Sequence, residues 1–158
     1  MKHSLKIGFS FGLTSAIITT LGLMVGLEAG TSSRLAVIGG VITIAIADAF
    51  SDALGIHISE ESENIHTTKE IWTSTLATFS FKAVFALMFI IPVIIFELSA
   101  AIVVSVAIGL LLLCILSFVL AKQQQEPPWK IVGEHLLIAV VVITITHYLG
   151  LWINKTFS

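Results

Sequence analysis

Charge is what this chain has least of. Asp, Glu, Lys and Arg make up only 11% of its 158 residues, hydrophobic types 56%, and the mean hydropathy is +1.03. So little polar surface cannot clothe a water-soluble globule, and an integral membrane protein follows. The 8 basic residues form no patch or run and the formal net charge is -2, so nothing marks a nucleic-acid partner. Cys114 is the only cysteine and lies inside an apolar run, which excludes an intramolecular disulfide and leaves the redox compartment open. There is no nucleophile elbow, no Gly-rich phosphate loop after a strand and no His/Cys cluster at zinc spacing, so an enzyme is not expected.

What is present is a series of apolar runs of about 20 residues or more, the length that a hydrocarbon core of ~30 Å asks of a helix. Five are legible, at about 7–27, 35–58, 71–96, 98–120 and 129–153. The expected fold is an all-α, polytopic membrane protein, one transmembrane domain over 1–158 with its termini on opposite sides. The first run has the basic start of a signal peptide but no small-x-small cleavage site, and reads as a retained helix. Pro127 and Pro128 break the chain before the fifth run, because neither can continue a helix. Lys2, Lys6, Lys69, Lys122 and Lys130 flank one side and Arg34 and Lys155 the other, which predicts a cytoplasmic N-terminus and an external C-terminus. A prokaryotic plasma membrane or an organelle membrane would fit.

Within the second run stand two carboxylates, Asp48 and Asp52, one helical turn apart and therefore on one face. Ionisable groups at membrane depth cost several kcal/mol unless they face a partner, a cavity or an ion. Two stacked oxygen donors make half of a divalent-cation site. Lys82, deep in the third run, offers two alternatives: a structural ion pair with Asp48 or Asp52, or an ammonium that occupies the cation's place when the cation leaves. An acid–base pair for intramembrane hydrolysis is disfavoured, since such aspartates normally face each other from different helices.

The other polar residues carry less. His57, Glu60 and Glu61 share a face where the second helix reaches the cytoplasm; a solvated helix end is expected, with a metal-gathering mouth as the alternative. His66 and Glu70 are four apart but straddle a loop. Glu134 and His135 lie near water at the start of the fifth run, and His147, deeper, is expected to make an interhelical hydrogen bond. Cys114 and Met88 read as packing. Gly8, Gly12, Ser15 and Thr19 recur at helical intervals of four, three and four residues, a stripe that lets helices approach closely and suits a dimer interface.

Several of these segments resemble the vacuolar iron transporter family. Ala47-Asp48-Ala49-Phe50-Ser51, Gly55 and Ser59-Glu60-Glu61-Ser62-Glu63 are similar to its second-helix signature, and Phe11-Gly12-Leu13-Thr14-Ser15-Ala16-Ile17-Ile18-Thr19 to its first. Ala77-Thr78-Phe79 with Pro92 and Gly150-Leu151 echo its third and fifth helices. The resemblance implies a homodimer whose first and second helices face each other around a pore, and exchange of divalent metal, Fe(II) or Mn(II), for protons out of the cytosol, with no permanently bound cofactor. Three departures stand out. The cytoplasmic metal-binding insertion is reduced to Ser59–Glu70. The family's first-helix Asp falls on Ser15, which keeps the pathway position without the charge. Its second-helix Met falls on Asp52 and its Glu-Tyr pair on Ile56-His57. Asp in place of a thioether shifts the expected preference from Fe(II) towards harder ions. A non-transporting scaffold or an ion channel of the same fold is the alternative.

Overall fold

The computed structural model describes residues 2–157, with nothing of the Lys2 side chain. Its helices are α1 (Lys2–Thr31), α2 (Arg34–Glu63), α3 (Thr68–Met88), α4 (Ile90–Ile95), α5 (Leu98–Gln124) and α6 (Pro128–Phe157); no strand occurs among the described residues. Five helical spans are long and apolar enough to cross a membrane, α3 and α4 together forming the third.

Local chemistry sets the boundaries. Ser33 caps α2 by accepting the Ala36 N–H at 3.2 Å, and Asn64, at φ 54°, closes it in the left-handed conformation. Thr67 and Glu70 form a reciprocal capping box at the start of α3. Pro92 lacks an N–H and its ring collides with the carbonyl four residues back, at Met88, which is where α3 stops before α4 resumes.

Exposed Trp72 and Trp129 stand near one end of the bundle and exposed Trp152 near the other, as rings that prefer the membrane–water interface do. Along α6 the two levels are separated by roughly 34 Å at the rise of an α-helix, close to the ~30 Å of a hydrocarbon core. By the same ruler Lys82 lies about 15 Å beyond Trp72, at mid-depth.

Helix α1 is the hub. Half of its most apolar stretch is buried, against 11% for α6, and it touches α2, α3, α5 and α6. Leu13, Ile17, Leu21 and Met24 carry its share of the core, against Val37 and Val41 of α2, Phe89, Val93 and Leu113. A Cβ on Gly8 would sit 2.5 Å from the Ala77 Cβ, and one on Gly12 2.9 Å from the Thr78 carbonyl oxygen. The small stripe of α1 therefore seats α3 of the same chain at Gly8 and Gly12, which corrects the expectation that it faces a second copy; the spacing required a close neighbour without saying which. On the other side of α1, α6 crosses so closely that a Cβ on Gly150 would lie 2.3 Å from the Gly26 oxygen.

At the α1–α2 turn end, the Arg34 guanidinium donates to the carbonyl oxygens of Val93 at 2.6 Å and Phe96 at 2.9 Å, satisfying groups that the end of α4 leaves open. Asn154 donates to Gly30 O at 2.8 Å and Ser99 to Glu28 at 3.2 Å. His147 makes no interhelical hydrogen bond, contrary to expectation: α6 is the least covered helix, and the ring instead stands edge-on to Tyr148 with centroids 5.6 Å apart.

Candidate functional site

Three alanines bring α1, α2 and α3 together at mid-depth. Ala16, Ala45 and Ala86 are fully buried and pack as one cluster, and Ala45, Ala49 and Ala53 continue a buried ridge along α2. With only methyl groups between them the backbones approach closely, so short side chains on two helices can reach one long one on the third.

That long one is Lys82, whose side chain is 1% exposed. Its ammonium donates to Asp52 Oδ2 and, at 2.9 Å, to Ser15 Oγ; Ser15 in turn donates to the same Asp52 oxygen at 2.6 Å. Ser15, Asp52 and Lys82 thus form a closed ring of hydrogen bonds across three helices. Lys82 Nζ also lies 2.5 Å from Asp48 Oδ2, yet that buried oxygen has no aligned hydrogen-bond donor, so the contact is Coulombic. Where the spacing allowed a pair with either aspartate, the lysine takes both.

Ionised, the cluster holds two negative charges and one positive. The unmatched charge sits where charges are most expensive, and the carboxylates are not sealed: the Asp48 side chain is 31% exposed and that of Asp52 19%. Asp48 lines a groove of about 410 Å³ between α1 and α2, together with Leu23, Leu27, Gly40, Thr43 and Ala47. The outer ridge of α2 beside it consists of Gly39, Thr43, Ala47, Ser51, Gly55 and Ser59, every fourth residue and all exposed. Cβ atoms added to Gly39 or Gly55 would meet nothing.

The group at the far end of α2 does not converge. Glu60 is buried, 5% exposed, with Oε2 accepting from Ser74 Oγ and Oε1 without a hydrogen-bond partner among the described residues. This corrects the expected solvated helix end: one face of α2 is still covered by α3 at that level. The Ser74 hydroxyl has one proton for three acceptors, since the carbonyls of Ile71 and Glu70 lie at 3.0 and 3.2 Å. His57 Nδ1 lies 3.0 Å from Thr75 Oγ1, and because Thr75 gives its only proton to Ile71 O at 2.6 Å, the imidazole is the donor. Glu61 is exposed. His66 contacts Glu63 at 3.3 Å, and His135 Nδ1 lies 2.7 Å from Ser117 Oγ; Glu134 is exposed and Cys114 is a free, partly covered thiol.

Ser74, Thr75 and Thr43 were not singled out from sequence. A signal existed: Glu70, Ser74, Thr78 and Lys82 recur every four residues in an apolar run, and a polar stripe inside a span faces other helices rather than lipid.

Together these observations define a class: an all-helical protein with five spans long and apolar enough to cross a membrane and a lysine–diaspartate cluster midway along them. No protein-family model, curated protein or solved structure matches the chain. Among the described residues no three His, Cys, Asp or Glu side chains gather as a metal would require.

Proposed function

We propose that the protein is a divalent metal transporter, taking Fe(II) or Mn(II) as substrate and exchanging it for protons, and that it works as a homodimer. The observation that carries this reading is the charge of the cluster: two carboxylates against one ammonium, partly open, at the middle of a span. One chain is one negative charge in excess; two chains facing each other across α2 are two in excess, which one divalent cation neutralises. The uncovered small-residue ridge of α2 supports that pairing, because small residues every fourth position let a second helix approach. It also supplies a reason for the dimer, since partly exposed carboxylates at that depth need a polar neighbour rather than lipid.

Oxygen donors favour hard ions, Mn(II) over a thiolate-seeking metal. With one chain offering no three-ligand group, the ion would be shared between copies, and Lys82 is the resident counter-cation in its absence. The positions of the lysines support a cytoplasmic N-terminus, from which the metal moves out of the cytosol.

A second reading, a non-transporting scaffold, is favoured by one observation: Lys82 contacts both carboxylates, as a purely structural ion cluster would. Reconstituted vesicles separate the readings. A transporter gives Mn(II) or Fe(II) uptake with proton counterflow that Asp48→Asn/Asp52→Asn removes; a channel gives uptake without proton counterflow; a scaffold gives neither.

A further inference from the structure

We infer that the two aspartates have divided roles: Asp52 is a positioning residue that fixes Lys82, and Asp48 is the carboxylate that a hard divalent cation engages, in a groove that Thr43 also lines. This rests on the cation reading for its ligand but on hydrogen bonding for the division itself.

Asp52 accepts from two donors through one oxygen, Ser15 at 2.6 Å and Lys82, and Lys82 closes the ring on Ser15. Removing Asp52 from that ring to ligate a cation would break two hydrogen bonds, both charge-assisted. Asp48 has no such ties. Its Oδ2 is held only by the proximity of the ammonium, and its side chain is the more exposed of the two, 31% against 19%. A cation approaching Asp48 therefore competes with one ion contact, that of Lys82, and opens no hydrogen-bonded ring.

The surroundings fit that role. Asp48 and Thr43 line the same groove of about 410 Å³; six waters occupy roughly 180 Å³ at their liquid volume, so a hydrated divalent ion has room there. Thr43 donates its only hydroxyl proton to Gly39 O at 2.8 Å, which leaves its oxygen as an acceptor. A carboxylate and a hydroxyl oxygen, with water completing the shell, suit Mn(II) or Mg(II) rather than a soft metal.

Lys82 links the two roles. Its one charge is shared between Asp48, at 2.5 Å, and the ring with Asp52 and Ser15. Freed from Asp52, the ammonium would act on Asp48 alone and compete more strongly with the cation.

The test uses the purified full-length chain in detergent, with its melting temperature measured with and without MnCl2 for wild type, Asp48→Asn and Asp52→Asn. The expected results differ in two independent readouts. Asp48→Asn melts within about 2 °C of wild type without metal, since it removes the unmatched charge and leaves the ring of Ser15, Asp52 and Lys82 intact, but loses the Mn(II)-dependent shift. Asp52→Asn melts roughly 5–10 °C lower without metal; it keeps the Mn(II) shift but needs about 10-fold more metal for half of it, as Lys82 now competes at Asp48. A role for Asp52 in stability alone would leave that midpoint unmoved. Equal melting of the two variants without metal, a retained Mn(II) shift in Asp48→Asn or an unmoved midpoint in Asp52→Asn would each overturn the division. A wild type that does not respond to Mn(II) overturns the cation half and the transport reading with it, while the metal-free comparison still judges the division.

Discussion

Helix α2 carries two carboxylate groups against α3, and they are built in opposite ways. At mid-depth Asp48 and Asp52 meet a full ammonium and stay partly open, Asp52 being bridged to α1 through Ser15. Two turns beyond Asp52, Glu60 is sealed, with a single shared hydroxyl for company and one oxygen without a partner among the described residues. Depth explains the difference. A carboxylate at the centre of a span needs a counter-charge to exist as an anion, whereas one near the end of its helix can be tolerated with less. The comparison teaches that compensation, rather than burial, marks the group built to handle charge: the better-compensated cluster is also the one left accessible.

Breaking the compensation should have the largest effect. Lys82→Ala leaves two carboxylates at mid-depth without their cation and is expected to cost about 3–5 kcal/mol of stability, seen as a large drop in melting temperature of the detergent-solubilised chain. The triple variant Lys82→Met/Asp48→Asn/Asp52→Asn removes all three charges together and should recover most of that loss, because replacing every member of a buried charge cluster is often neutral. Failure of that recovery would mean that packing of the lysine stem, rather than charge, holds the helices.

Next in size comes the approach of α1 to α3 that makes the cluster possible. Gly8→Val, where even the first carbon would collide with Ala77, should cost about 1–3 kcal/mol, read from the same melting curves. Gly55→Ala, where the space is open, should change the monomer little and serves as its control.

The sealed group should respond no more strongly than that. Ser74→Ala removes the one donor to Glu60 among the described residues and is expected to cost about 1–3 kcal/mol, while Glu60→Gln, which brings its own N–H donors, should stay within about 1 kcal/mol of wild type or stabilise. If Glu60→Gln proved as damaging as Lys82→Ala, the contrast between the two groups would be wrong.

Much of the architecture was legible because membrane helices obey length and composition. The five spans follow from apolar runs, and the helices extend a few residues beyond each run because capping residues such as Ser33 and Thr67 lie outside the oily core. The break at Met88 was foreshadowed by Pro92. Mid-depth Lys82 announced an ion pair, but sequence spacing could not show that the three-alanine contact brings it within reach of both aspartates. Two features were not legible for the same reason. Gly8 and Gly12 demand a close neighbour, and Glu60 is buried only because α3 covers it; which helix packs on which is a property of the whole bundle, and four-residue periodicity does not encode it.

The account stands on the mid-depth carboxylates holding a passing cation. Its most direct test is Mn(II) uptake into proteoliposomes that contain a pH-sensitive dye, with wild type and Asp48→Asn reconstituted at equal density. The account predicts Mn(II)-dependent uptake with matching proton release in wild type, reduced at least about 10-fold in Asp48→Asn. Wild-type uptake no greater than that of empty vesicles, or uptake that Asp48→Asn leaves unchanged, would contradict it.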